Sequence, residues 1–158
     1  MAIARENMIN ELILAIDEIT RFGLYPNVDD DSNEQTLEKC LVKIYNLYFD
    51  VEGMFDEMDY TEFDKSNLTD IPQNVQSNFG HFGSYKIFMD TSDMYNECDF
   101  AIGCAIDDLS DIIYDLLEVK WRIENNSAAD GVWHFKMIFP VHTRQHIICL
   151  LKFINENC

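Results

Sequence analysis

In DFAIGCAIDDLSDIIYDLLEVKWRIE, residues 99–124, the apolar residues Ile102, Ile106, Leu109, Ile113, Leu116 and Leu117 recur at spacings of three and four. That is the period of a helix burying one face. The opposite side is acidic. Asp108, Asp111, Asp115 and Glu118 are spaced three, four and three and form one carboxylate stripe, with Asp107 beside it. Asn125, Asn126 and Ser127 then break the pattern, and Ser127 with Asp130 three residues later resembles a capping arrangement that starts another helix. Trp133, Met137, Ile147, Leu150, Leu151 and Ile154 pattern that helix. Pro140 must bend it, because proline removes one hydrogen bond and crowds the preceding turn. So short a connection predicts an antiparallel helical hairpin.

Upstream, Ile9, Leu12, Ile13, Ile16 and Ile19 mark a helix from about Ile3 to Phe22, stopped at Gly23 and followed by the loop residues Tyr25, Pro26, Asn27 and Asp29–Asp31. Leu37, Leu41, Ile44, Tyr45 and Tyr48 mark a second, from about Glu34 to Phe55, fraying near Gly53. From Asp56 to Gly83 the period is lost and turn residues dominate, so this stretch is a functional excursion or hides short helices. Ser84 to Asp90 is either a short strand or an irregular packing segment. The expected fold is all-α: a bundle of about four main helices in a single domain spanning 1–158, with a C-terminal antiparallel hairpin and a long acidic loop.

A chain of 158 residues can bury roughly two thirds of its unfolded surface in one core. With 47% hydrophobic and 13% aromatic residues, three prolines and six glycines, it has the material to fold despite its charge. Glu6, Glu11, Asp17 and Glu18 interrupt the first apolar stretch, which argues against a signal peptide, and no run approaches the roughly 20 apolar residues of a membrane span. Cys40, Cys98, Cys104, Cys149 and Cys158 are odd in number and form no C-x-x-C pair. A cytoplasmic protein with free thiols is expected.

Charge carries the strongest functional signal. Against 11 basic residues stand 29 acidic ones, a formal net charge of −18, which repels nucleic acid backbones and anionic membranes and excludes both as direct partners. One acidic cluster runs through Asp90, Asp93, Glu97, Asp99, Asp107, Asp108, Asp111, Asp115 and Glu118, with no Lys or Arg from Ile87 to Val119. A second runs through Asp50, Glu52, Asp56, Glu57, Asp59, Glu62, Asp64 and Asp70, relieved only by Lys65. Either is explained equally well as a solubilising surface.

His142 and His146, four apart, share a helix face. Counting outward from the turn near Asn126 sets Asp111 level with about residue 140, and Asp107 and Asp108 level with His142 and Arg144. Carboxylates and imidazoles then face one another across the hairpin. Bundle proteins bind transition metals with such sets, so Asp107, Asp108, Asp111, His142 and His146 form an alternative metal cluster. No Glu-x-x-His spacing exists in the chain, however, and the expectation is a structural Asp-to-His contact with no metal and no cofactor. No cysteine lies in a basic setting, and neither a Gly-x-Ser-x-Gly turn nor a phosphate-binding glycine loop is present, so no catalytic residue is assigned.

The stretches NFGHFGSYKIF (78–88), AIGCAIDDLSDIIYDLLEVKWRIEN (101–125) and VWHFKMIFPVHTRQHIICLLKF (132–153) resemble a bacterial family catalogued as domain of unknown function 5063. An aspartate-rich D-D-L-x-D-I helix (Asp107, Asp108, Leu109, Asp111, Ile112) followed by W-x-F-x-x-x-F-x-x-H-x-x-x-H (Trp133, Phe135, Phe139, His142, His146) carries the likeness. It covers roughly the C-terminal half. Thr143 and Arg144 stand where the family pattern tends to have a Trp-Gly pair. The resemblance implies a compact helical fold and brings no assigned activity.

The leading expectation is a non-enzymatic, acidic protein-binding module that neutralises a basic protein partner. The concrete form is an immunity or antitoxin-like protein masking a cationic bacterial toxin, such as a nuclease, encoded by a neighbouring gene. Most core-patterned aromatics, Phe55 among them, read as interior, whereas Tyr60 and Phe63 lie among carboxylates as anchors for a basic, partly apolar surface. The expected partner-binding residues are Asp56, Glu57, Asp59, Tyr60, Glu62, Phe63 and Asp64. A metal-binding protein or metal-dependent enzyme built on the Asp/His cluster is the alternative, and a DNA-mimic inhibitor is a third reading.

Overall fold

The chain folds, in the computed structural model, as Ala2–Leu24 (α1), Asn33–Asp50 (α2), Ile71–Asn78 (α3), Ser84–Phe88 (β1), Phe100–Cys104 (β2), Ala105–Asn125 (α4), Ala128–Ile138 (α5) and Arg144–Asn157 (α6). A π-helical turn, Phe139–Thr143, joins α5 to α6. The structure describes residues 2–29, 32–95 and 99–158, so Asp30 and Asp31 of the expected loop, Glu97 of the first acidic cluster and Cys98 lie outside the described residues.

The molecule is mostly helical but not strictly all-α, because β1 and β2 pair antiparallel, Ser84 opposite Cys104 and Phe88 opposite Phe100. The helix expected from Asp99 or Phe100 therefore starts only at Ala105. Phe100 and Ile102 alternate with small residues and read equally well at period two, and both are exposed on the ribbon. β2 runs straight into α4 through Cys104.

Leu12, Ala15, Ile16, Ile19 and Phe22 of α1 are fully buried. That helix continues through Gly23 because α3 caps it: Asn78 Nδ2 donates to the carbonyls of Phe22 and Tyr25 at 2.8 Å each, and Asn74 Nδ2 to that of Gly23 at 2.8 Å. Ser32 starts α2 by accepting from the Gln35 amide. It ends at Asp50, five residues before the expected Phe55, where Val51 turns extended and buries its side chain.

One hydrophobic core gathers residues from all six α-helices. α4 lies at its centre and packs on α1, α3, α5 and α6. Gly131 sets the closeness of the hairpin, since a Cβ there would meet Ile123 Cγ1 at 2.2 Å and the backbone N of Ile123 at 2.7 Å. The connection is as short as expected, with Ser127 Oγ accepting from the Asp130 amide at 3.0 Å. Val132, Phe135 and Phe139 fill the core from α5 and the π turn, whereas Trp133 and Met137, which pattern the helix in the sequence, are exposed. The π turn lies where Pro140 withdraws its N–H from the ladder.

Between α2 and α3, residues 52–70 have no regular structure and yet are held along their length. Ser127 Oγ donates to Asp56 at 3.0 Å, Asn126 Nδ2 to the Thr61 carbonyl at 3.1 Å, and Tyr114 OH to the Leu68 carbonyl at 2.8 Å. Phe63 packs on Trp121, with ring centroids 5.6 Å apart. This segment is a strap across α4 and its C-terminal turn, and α3 is the short helix hidden in the stretch from Asp56 to Gly83. Among the described residues no helix is long and apolar enough to cross a membrane, and no disulfide joins Cys40, Cys104, Cys149 or Cys158.

Candidate functional site

The carboxylate stripe of α4 does not face solvent as the sequence suggests: Asp108 and Asp115 are only 6% and 5% exposed, and Glu118 is also buried. An isolated carboxylate in that setting is costly, so each must be met by donors. His142 Nδ1 lies 2.8 Å from Asp115 Oδ2, which also accepts from Thr143 Oγ1 at 2.7 Å. His146 Nδ1 lies 2.8 Å from Asp108 Oδ1, and Tyr85 OH of β1 donates to the other oxygen of Asp108. Gly103 makes room for that phenol, because a Cβ there would meet the Tyr85 ring at 2.6 Å.

The two histidines then meet each other, Nε2 to Nε2 at 3.3 Å, with ring planes at 67°. Asp111 Oδ2 lies 3.6 Å from His146 Nε2. Of the five residues expected to cluster, Asp108, Asp111, His142 and His146 do so; Asp107 is exposed and acts on the cluster only through its charge, which helps raise Asp111. The pairing is displaced from the expected register, with Asp108 level with His146 and not His142. A π turn holds more residues per turn than an α-helix, so α6 residues arrive later in height than a straight count allows. Asp115, Thr143 and Tyr85 are the members that sequence reasoning missed; only the three-four-three spacing pointed to Asp115.

Burial raises the carboxyl of Asp111 above its ordinary range, against the pull of both histidines. The Asp108 hydrogen bond raises His146, against burial, and burial with the Asp108 contact raises the Tyr85 phenol. Asp111, His142 and His146 can each offer one ligand atom to a metal, and these atoms lie within 4.8 Å of one another. This arrangement can hold a cation or share a proton.

A third buried carboxylate, Glu118, ties three elements together. Burial by itself would push it up, but hydrogen bonds from Lys65 and Arg122 hold it below its usual value. Lys65 Nζ reaches it at 3.0 Å and Arg122 at 2.9 Å, and Arg122 also bonds Asp130 of α5 at 3.2 Å. His134 Nε2 stands 3.5 Å from the same carboxylate, and burial lowers its pKa.

The acidic strap places its expected anchors inward. Tyr60 OH donates to Asp56 at 2.8 Å, which lowers the Asp56 carboxyl, and Phe63 rests on Trp121. Asp64 caps the Ser66 amide at 2.9 Å, while Glu57, Asp59 and Glu62 are exposed. What protrudes instead is Phe55, 73% exposed, and Met58, 68% exposed. Both line a shallow pocket of about 190 Å³ with Asp56, Tyr60, Asp130 and the half-exposed Trp133. Phe55 was hidden from sequence reasoning by extending α2 five residues too far, and Met58 carries no signal in its spacing. No protein-family model matches this chain, and neither the curated proteins nor the solved structures yield a similar one.

Proposed function

We propose that this chain is an acidic protein-binding module that neutralises a basic protein, in the manner of an immunity protein or antitoxin masking a cationic toxin such as a nuclease. The observation that carries the reading is the pocket on the strap. Phe55, Met58 and Trp133 stand out together around one pocket, beside Asp56, Glu57 and Asp59, in a chain of net charge −18. Such a surface suits a partner that offers lysine or arginine heads on apolar stems.

The strap is braced against α4 before any partner arrives, so little ordering entropy opposes docking. Tyr60 and Phe63 serve that bracing, and contact passes to Phe55 and Met58. The surface therefore comprises Phe55, Met58 and Trp133 as anchors, with Asp56, Glu57, Asp59, Glu62 and Asp64 supplying the field.

The test is a binding measurement between the purified chain and the product of the neighbouring gene. The expected result is a one-to-one complex that weakens as salt rises, and that Phe55→Ala with Met58→Ala destabilises while leaving the fold intact. Absence of binding at low salt, or binding indifferent to both substitutions, overturns the proposal.

A further inference from the structure

We infer that Asp111, His142 and His146 form a binding site for one divalent first-row transition-metal cation, ligated by Asp111 Oδ2 and by the Nε2 atom of each histidine. The site lies on α4, the π turn and α6, away from the strap pocket, and the inference is independent of the partner-binding proposal.

Imidazole chemistry sets the first step. A neutral histidine has one donor and one acceptor nitrogen, and the hydrogen bond at one determines the role of the other. The Nδ1 atoms of His142 and His146 each face a buried aspartate at 2.8 Å, so each Nδ1 carries the proton. That leaves both Nε2 lone pairs directed at the same gap, 3.3 Å across. Two acceptors at that separation repel unless something positive lies between them. Two nitrogens about 2.05 Å from a tetrahedral zinc stand about 3.3 Å apart, so the gap has the width of a metal-bridged pair.

The surroundings match a metal site in a second respect. Ligating histidines usually pass their remaining N–H to a carboxylate that is itself hydrogen-bonded, which fixes ring orientation and raises ligand basicity. Both histidines do this here. Asp115 is held by Thr143 Oγ1 at 2.7 Å and Asp108 by the Tyr85 hydroxyl, and both aspartates are buried. Asp111 supplies the third, anionic ligand: its Oδ2 is 3.6 Å from His146 Nε2, on a half-exposed side chain. The His142 side chain is 44% exposed, so a fourth position opens to solvent for water or an external ligand.

The absence of Glu-x-x-His spacing led to the opposite expectation. That spacing belongs to sites whose carboxylate and imidazole share a helix; here the carboxylate comes from α4 and both imidazoles from the chain that returns along it. The rival occupant of the gap is a proton, with one ring an imidazolium donating through Nε2 to the other.

Titration of chelator-stripped protein with Zn²⁺, and with Co²⁺ as a spectroscopic probe, separates the two. Expected are one equivalent of Zn²⁺ per chain and a Co²⁺ visible spectrum of low-symmetry, four-coordinate intensity. Asp111→Asn and His142→Gln, both at half-exposed positions, should weaken Zn²⁺ binding by more than about 100-fold with an unchanged circular dichroism spectrum, and Asp115→Asn by about 10- to 100-fold. Asp107→Asn, on the exposed side of the same helix, should leave binding unchanged. No saturable binding means the gap holds a proton, and binding that survives Asp111→Asn and His142→Gln belongs to the acidic surface; either result overturns the inference. Neither bears on the partner, since no partner is present in the titration.

Discussion

His142 and His146 touch through their Nε2 atoms at 3.3 Å while their opposite nitrogens bind two different buried aspartates, Asp115 and Asp108, one helical segment apart on α4. The contact fastens the π turn and α6 to α4 at two heights. It also orders the histidines before any ligand is present, so a cation that enters meets a preformed site.

Zinc should therefore stabilise the folded chain. At a free concentration 100 times its dissociation constant, a ligand specific to the folded state adds about 2.7 kcal/mol, which for a chain of this length raises Tm by about 5–10 °C. Differential scanning fluorimetry with zinc and with chelator measures it. An unmoved Tm in excess zinc would count against a site in the native state.

Thr143→Val should destabilise the fold by about 1–3 kcal/mol, because it removes one of two donors to the buried Asp115 while keeping side-chain volume. Thr143→Ser should recover most of the loss. Urea denaturation of the three proteins reads the difference, and equal stability for Val and Thr would mean that water replaces the hydroxyl.

Acid should weaken the fold partly through His134. Burial depresses its folded pKa below the ordinary 6.5, while Glu118 at 3.5 Å and Asp115 favour its charge and Arg122 and Lys65 oppose it. The unfolded chain thus takes up the proton first. The stabilising contribution is complete above pH 6.5 and is lost as pH falls through the lower folded value. Urea denaturation at pH 7.5 and pH 5.5 should show a larger loss for the wild type than for His134→Gln; parallel losses would show that His134 titrates normally.

Gly131→Ala should cost about 2 kcal/mol or more, since the new methyl meets not only Ile123 Cγ1 but also the backbone of α4, at Ile123 N and Val119 O, which cannot give way. The same substitution at Gly53, where nothing lies within 4 Å of a Cβ, should be nearly neutral. Thermal melts of the two variants make the comparison.

Substitutions on the strap should divide by role. Phe55→Ala or Met58→Ala should speed dissociation from the basic partner, by about 2 kcal/mol if either is a central anchor, whereas Glu57→Lys should chiefly slow association. Phe63→Ala should instead lower stability, because Phe63 packs on Trp121. Surface plasmon resonance and thermal melts together test this; a Phe63→Ala effect on dissociation alone would restore it as an anchor.

How far the fold was legible in the sequence follows from where local pattern and tertiary packing agree. The helical period of α1, α2 and α4, the Ser127 cap and an interruption of the α-helical ladder at Pro140 are local properties, and all three are present. The strand at Phe100–Cys104 was lost because two apolar residues at period two continue smoothly into a helical series. The phase of α5 was misread because Trp133 and Met137 are large and apolar, yet Val132 and Phe135 fill the core. At the site, the spacing brought Asp108, Asp111, His142 and His146 together. Burial of the stripe was invisible, since a solvated acidic face and one covered by imidazoles, Lys65 and Arg122 read alike.

The π turn at Phe139–Thr143 acts as a phase setter for everything after it. Each α-helical residue advances the chain by about 100° around its axis, so excising one residue from that turn would swing α6 by roughly that angle. Ile147 and Leu150 would leave the interior, and the imidazole of His146 would point past Asp108 altogether. The angular setting of the last helix is thus written in a single supernumerary residue, so a change in the length of this segment displaces more than a substitution at its exposed Val141.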